Sequence, residues 1–391
     1  MPHQRPRKIA NILLKRLKLW PVVGLVGPRQ CGKSTLLKDI IGKNIPSNYY
    51  SMDSKTFRDQ AERAPEAFSQ IEDEKTKIID EVQKVPDLFD AIKLHVDNQR
   101  RPGSYIISGS TQFSQFTGIR ESLTGRIGIL NLYPFNLSEI WQKPLGTYFS
   151  KVHKVKALIS LKEFEKKLIR GGMPGFFYLH NEDEFEAACQ LWLETTCFRD
   201  LSRVMNKNFD GELALNILTE LAKSEVPTVA EVAHKLNKDR RVIQRYFNGF
   251  LQILVIKRVS PISFGIGKDQ YIIIDSGLTH FLGGHRLNIL RSHLLIEALS
   301  HFEEMGIARP SVCYYATAKT SFIPLIFEWK NKNKILIIQM NEKEIPTRAE
   351  LGSIDSLLKK LPSTTIKRIL FLNHTSESYT DGKIEYHPLR G

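Results

Sequence analysis

Gly27–Thr35 reads GPRQCGKST and follows directly on the apolar run Val22–Val26. The pattern G-x-x-x-x-G-K-S/T carries meaning only between a strand and a helix, and here Leu36–Ile41 starts the helix. A loop of this spacing turns its backbone N–H groups around the α and β phosphates of a nucleotide, sends Lys33 to the β and γ phosphates and offers the Ser34 hydroxyl to Mg²⁺. The helix N-terminus faces the same anion. Gly27, Pro28, Arg29, Gln30, Cys31, Gly32, Lys33, Ser34 and Thr35 are the expected phosphate-binding residues.

Working outward, Lys77–Lys84 reads KIIDEVQK, an apolar strand that ends in two acids. Paired with the loop, this is a Walker B pattern: Asp80 holds Mg²⁺ through its water shell, and Glu81 polarises the attacking water. A further strand, Ser104–Ser108, delivers Ser110 to the γ-phosphate edge as a sensor. Tyr49–Asp53 ends in Asp53, either another acid at that edge or a turn residue. Strands alternating with helices imply an α/β fold, a doubly wound parallel sheet with its ligand at the carboxyl ends of the strands. Arg120 and Arg126 follow the sensor strand. Arg126 is the candidate catalytic arginine, reaching the γ-phosphate in its own chain or acting as a finger on a neighbouring subunit, with a surface ion pair as the alternative. No Asn-Lys-x-Asp guanine reader is present, and the acid directly after Asp80 favours water as nucleophile, so the expected ligands are ATP and Mg²⁺.

The chain has 391 residues, enough for two or three domains, and no apolar run long enough to span a membrane. Its basic, amphipathic N-terminus resembles a transit peptide but lacks serine and runs straight into the first strand, so it reads as a helix packed beside the nucleotide domain. Four scattered cysteines form no CxxC pair, which fits a reducing cytoplasm and neither structural zinc nor disulfides. A net charge of +14 suits a polyanionic partner, provided some module can use it.

Such a module is legible in Thr228–Val259. Thr228 caps one helix, Asn237 and Lys238 make a turn, and Asp239 caps a second helix before a strand. This is the order of a winged helix-turn-helix, whose second helix carries Arg240, Arg241, Gln244 and Arg245 toward duplex DNA, or serves a protein partner instead. Upstream, Gly171, Gly172, Pro174 and Gly175 force a loop, and Glu184–Met205 reads as one long helix in which Arg199 and Asp200 form a structural pair.

With GPRQCGKSTL, IIDEVQKVPDLFDAIK, IISGSTQFS, ESLTGRIGILNLYPFNLSEI, GGMPGFF and YIIIDSGLTHFL in order along the chain, the sequence resembles ATPases that join an N-terminal AAA domain to a C-terminal domain called DUF4143. The resemblance implies an AAA-like P-loop ATPase domain at 1–145, a helical and winged helix-turn-helix region at 146–262, and a nuclease-fold domain of the PD-(D/E)XK kind at 263–391. It implies a degenerate nuclease centre: Glu297 stands for the helix acid, Pro324 falls where an aspartate belongs, and Gln339 and Asn341 replace an acid and a lysine, with Glu328, Glu342 and Lys343 nearby. Nuclease activity is therefore not expected. Two readings remain, an ATP-hydrolysing switch coupled to DNA, or a DNA- or protein-binding regulator that hydrolyses ATP slowly. Either can be oligomeric.

Overall fold

The computed structural model describes residues 5–390 apart from 72, 113–122, 143–148, 150–155, 158, 206–208, 319 and 320. Five strands, β1 Val22–Val26, β2 Ser47–Ser51, β3 Thr76–Asp80, β4 Tyr105–Gly109 and β5 Ile127–Asn131, form one sheet in the order β2-β3-β4-β1-β5, every pair parallel. Side chains alternate across a strand, and a parallel sheet covered on both faces buries both sets. Val23, Leu25, Ile78 and Ile106 pack into a layer with the N-terminal helix Ile9–Leu17, while Val22, Val26, Ile79 and Ile107 pack into another with the helix Leu88–Asn98. This is the doubly wound α/β arrangement. The helix that leaves the Gly27–Thr35 loop is π-helical over Leu36–Ile41, a departure that the apolar pattern did not announce.

The next region packs helices against one another. Glu182–Glu194, Thr195–Asp200 and Leu201–Val204 run end to end, but Thr195–Asp200 is π-helical, so the single regular helix expected here is rewound in its middle. Three helices follow, Gly211–Lys223, Val229–Lys235 and Arg240–Gln252, each started by a side-chain cap from Asp210, Thr228 and Asp239. Ile243, Tyr246, Phe247 and Phe250 repeat at helical spacing and are buried, which leaves Arg240, Arg241 and Arg245 on the exposed side. An antiparallel hairpin closes the unit, β6 Ile256–Pro261 with β7 Gln270–Ile273, and Thr228 bridges Gln270 beside it.

The hairpin also begins the second sheet. Ser260 and Pro261 of β6 pair with Cys313 and Tyr314 of β8 Ser311–Ala316. Beyond lie β9 Phe322–Trp329, β10 Lys334–Met340, β11 Ile366–Asn373, β12 Tyr379–Asp381 and β13 Ile384–Pro388, in the order β12-β13-β11-β10-β9-β8-β6-β7. A division at 262/263 therefore falls between two paired strands, whereas 145/146 lies outside the described residues.

The helix Arg286–Glu304 joins this sheet to the first one. Glu297 Oε1 accepts from the Leu137 backbone N–H at 2.7 Å, Glu303 Oε1 from Asn131 Nδ2 at 2.9 Å, and Glu304 Oε1 from Asn136 Nδ2 at 2.7 Å. Burial pushes the Glu304 carboxyl up to about 7, and the neighbouring Glu139 adds to the shift against Lys8 and Arg7. A raised pKa means that the folded state binds this proton more tightly than the unfolded chain. The contribution is present below the ordinary carboxylate range and is lost as pH rises through about 7. Glu304→Gln copies the protonated form, so urea melts should show it equal to wild type at pH 4 and more stable at pH 8.

Candidate active site

Lys33 is 5% exposed, and its Nζ donates to the carbonyls of Gly27 and Pro28 at 3.0 Å each while lying 3.9 Å from Glu81 Oε1. The loop around it needs unusual backbone: Gln30 and Gly32 have φ of +61° and +96°. A Cβ on Gly27 would lie 2.4 Å from the Leu132 carbonyl oxygen, so only glycine fits there. Donors from outside hold loop carbonyls outward, Arg7 Nη1 on Cys31 O at 2.7 Å and Trp192 Nε1 on Arg29 O at 3.3 Å. Burial pushes the Cys31 thiol up, against the pull of Lys33 and Arg7, which keeps it a small inert filler.

Asp80, the last residue of β3, is 1% exposed. Its Oδ1 accepts from the Ser108 hydroxyl and from the Glu81 N–H at 3.1 Å, and its Oδ2 from the Tyr49 hydroxyl at 2.7 Å. Burial first, and Asp80 second, push the Tyr49 phenol up, while the Ser34 hydroxyl beside it acts in the opposite direction. Ser34, Tyr49 and Asp80 thus meet at one point. Glu81 has φ +56°, a left-handed backbone that costs a residue with a side chain roughly 1–3 kcal/mol and marks strain kept at a working site. The turn brings its Oε2 within 2.6 Å of Gln83 Nε2 and 3.2 Å of the Ser110 hydroxyl, which Gln83 also reaches at 3.2 Å.

These groups open on a cavity of 960 Å³ between the sheet edge and the helical region. Its far wall is Trp192, Thr196, Asp200, Arg203 and Val204, with Gln252, Ile253 and Val255 beside them. Asp200 takes both of its oxygens to Arg29 Nη1, at 2.8 and 2.9 Å, and Oδ1 also accepts from Arg199 Nε at 3.1 Å. Burial raises the Asp200 pKa against the pull of Arg199. The structural pair expected at Arg199 and Asp200 is there, and it also grips the phosphate loop.

Residues 20–141 match the family described as an AAA domain. The chain is also 26% identical over 285 residues to the uncharacterized proteins Rv2008c of Mycobacterium tuberculosis and Mb2031c of Mycobacterium bovis, a match that takes in 71% of this chain. It covers 59% of those relatives' own length. Among solved structures, the Walker-type ATPase PABY2304 of Pyrococcus abyssi superposes with a TM-score of 0.44 at 15% identity, covering 72% of this chain and 99% of that one. The Thermotoga maritima RuvB Holliday junction branch migration motor gives 0.28 at 16% identity, covering 64% and 87%.

The AAA-type domain brings Gly27–Thr35, Asp80, Glu81 and Ser110 together at the carboxyl ends of β1, β3 and β4, and leaves Arg126 elsewhere. Arg126 precedes β5: its carbonyl accepts from Val22 N–H at the start of β1, and its guanidinium holds Asp97 at 2.5 and 3.0 Å. At ~3.3 Å per residue, the whole length of a five-residue strand separates it from the loop that follows Val26. Contact with the γ-phosphate of its own chain is corrected on that ground, and the ion pair is what Arg126 makes; Arg120 lies outside the described residues. The cationic groups at the cavity are Lys33, Arg29, Arg58, Lys84 and Arg203, with Asp53 paired to Lys84.

On the helix Arg286–Glu304, the residue that reaches β9 beside Pro324 is Arg291, whereas Glu297 bonds the Leu137 N–H. The Arg291 guanidinium is 0% exposed and lies 5.9 Å from the Phe322 ring, whose backbone carbonyl accepts from Gln339 Nε2 at 3.0 Å. Glu342 is taken by Arg286, and Glu328 sits at the far end of β9, opposite Ile335. Lys33→Ala removes the buried cation of the loop, and isothermal titration should show nucleotide affinity reduced by about 10- to 100-fold, the range for losing one charge-assisted hydrogen bond.

Proposed function

We propose that this chain is a Mg²⁺-dependent ATPase in which nucleotide, held between the sheet edge and the helical wall, acts as a switch on a duplex-DNA-binding helix. The observation that carries the reading is the convergence of Lys33, Ser34, Glu81 and Ser110 with Asp200 and Arg203 on one cavity, next to the oriented carboxylate of Asp80. The donor set suits a nucleotide: a buried Lys33 ammonium on a strand-to-helix loop whose first glycine packs too closely on Leu132 to carry a side chain. Ser34 and Asp80 would hold Mg²⁺, whose charge neutralises the phosphate oxygens when bound. Glu81 accepts the proton of the attacking water, and Gln83 and Ser110 orient its carboxylate. Arg29 and Arg203 complete the positive wall from either side of the cavity.

The DNA part of the reading rests on Arg240–Gln252. Thr228, the three helices and the β6–β7 hairpin have the order of a winged helix. Its wing is tied down, with Ile262 N–H on Tyr314 O and the Tyr314 hydroxyl on Lys268 O, both at 2.9 Å, which leaves the helix as the reading element. Among the described residues, the side chains of Lys238, Arg240, Arg241 and Arg245 form no ion pair, and all four are exposed, with Gln244 between them at 3.1 Å from Asn248. Unpaired cations on one helix face fit phosphate contacts. Arg291 and Gln339 in place of acids support a C-terminal domain that is a nuclease-like scaffold without cleavage activity.

A second reading has its own observation. The Glu81 carboxylate is already engaged by Gln83, Ser110 and, more loosely, Lys33, which favours slow turnover by a regulator. Glu81→Gln separates the two: for a hydrolysing switch, steady-state phosphate release should fall by roughly 10²–10⁴ with nucleotide affinity retained, the usual contribution of a general base. Turnover at the wild-type rate would remove Glu81 from the chemistry.

Salt dependence tests the partner. Duplex affinity measured by fluorescence anisotropy should fall linearly on a log–log scale with salt, and alanine at Arg240, Arg241 and Arg245 together should flatten the slope by about 3, roughly one unit for each lost phosphate contact. Salt-insensitive or absent binding would assign the helix to a protein partner.

A further inference from the structure

The strand that ends at the active site also ends on the helix Arg240–Gln252. Ser110 bonds Glu81 and Gln83, Thr111 lines the same cavity, and the next residue, Gln112, leaves it. Gln112 donates twice to the last turn of that helix, through its backbone N–H to Gln252 O at 2.9 Å and through Nε2 to Leu251 O at 3.1 Å. A helix end leaves carbonyls without intrahelical partners. Here Val255 N–H returns to Phe250 O and Leu254 N–H to Leu251 O, the pair of bonds of a Schellman end, and Gln112 covers the Gln252 carbonyl as well.

Leu254 occupies the left-handed position of that motif with φ +63°, where glycine would carry no strain. Its side chain packs on the apolar layer of the first sheet that holds Val22, Ile79, Ile107 and Leu123. The strain is thus kept in exchange for a second anchor on the nucleotide domain. Gly249, one turn back, packs closely on Leu201 and Met205, next in the chain to Asp200, Arg203 and Val204 of the cavity wall. The carboxyl end of the helix is therefore gripped from the sensor strand and from the cavity wall. Its amino end, ~1.5 Å per residue away along a stiff rod, carries Arg240 and Arg241 into solvent.

We propose that Gln112 is the positioning residue that couples the nucleotide site to the helix Arg240–Gln252. A displacement of Glu81, Gln83 or Ser110 when the γ-phosphate is present or absent moves the clamp on Leu251 and Gln252 and so re-aims the basic end. The inference rests on the proposed ATP site and, for its output, on the proposed duplex surface. Linkage makes the coupling reciprocal: the factor by which nucleotide changes duplex affinity is the factor by which duplex changes nucleotide affinity.

The experiment uses the full chain, a slowly hydrolysed ATP analogue with Mg²⁺, and a labelled duplex. Three forms are compared, wild type, Gln112→Met, which keeps the length and loses the side-chain donor, and Gln112→Lys, which restores one. Direct titrations give nucleotide and duplex affinities separately, and amide hydrogen exchange of residues 249–255 with and without the analogue reads the clamp. Wild type should show exchange in 249–255 that responds to the analogue and a change in duplex affinity of about 5- to 150-fold, the ordinary range of allosteric coupling. In Gln112→Met, which loses the bond to Leu251 and keeps the backbone bond to Gln252, both responses should weaken several-fold, with each ligand still bound when offered alone, and Gln112→Lys should recover them in part. Wild-type exchange indifferent to the analogue, or a Gln112→Met variant that keeps the full response, would overturn the inference. If exchange responds through Gln112 but no duplex binds, the coupling stands and the DNA reading fails. If the analogue does not bind wild type, both the ATP reading and the inference fall.

Discussion

A phosphate-binding loop works only if its carbonyls point away from the ligand, because each peptide that turns its oxygen outward turns its N–H inward. Here two outward carbonyls are fastened from outside the loop. Arg7 from the N-terminal segment holds that of Cys31 and Trp192 from the helical region holds that of Arg29, while the Lys33 ammonium, within the loop, bonds those of Gly27 and Pro28. Arg7 is itself buried, paired with Glu139 at 2.9 Å and stacked over the Phe135 ring at 4.7 Å. The loop is thus shaped by contacts from well before and well after it in the chain, and separating either segment would loosen it.

That arrangement explains why the active site is two-sided. The sheet supplies the acids, because side chains at the end of β3 emerge at its carboxyl edge, and the helical region supplies Asp200, the last residue of a π-helical turn, and Arg203 from the α-helical turn after it. The Arg29–Asp200 pair spans the gap with one partner on each side. A group that changes the charge of the cavity therefore acts on both walls.

Those parts of the site made by consecutive residues were legible from the chain. GPRQCGKST and KIIDEVQK describe their own strand, turn and helix, and the caps at Thr228 and Asp239 lie beside the helices they start. Parts made by distant residues were not. Gln83 stood in plain view within KIIDEVQK, yet nothing local says that a left-handed Glu81 folds the two side chains together. Arg126 was misplaced for a reason that strand polarity alone could have supplied: a residue that precedes a parallel strand sits at the amino edge, away from the ligand. Glu297 is the helix acid that the resemblance implies, and it turns to Leu137 instead. The residue facing Phe322 is Arg291, six positions earlier, and which side of a nearly fully buried helix faces which neighbour cannot be read from an apolar stripe that runs all round it.

The second sheet then acquires a mechanical meaning. By taking β6 as one of its strands and tying the 262–269 loop to Tyr314, it ties down the β6–β7 hairpin. By placing Glu297, Glu303 and Glu304 on Leu137, Asn131 and Asn136, the helix packed on it also fixes it to the carboxyl end of β5 and the segment that follows. The nucleotide domain and the second sheet are therefore held to one another through buried carboxyl groups. Between them lie the helices of the middle region, whose end nearest the cavity is gripped by Gln112 and Leu254, so the contacts that shape the candidate site come from both sheets as well as from the loop itself.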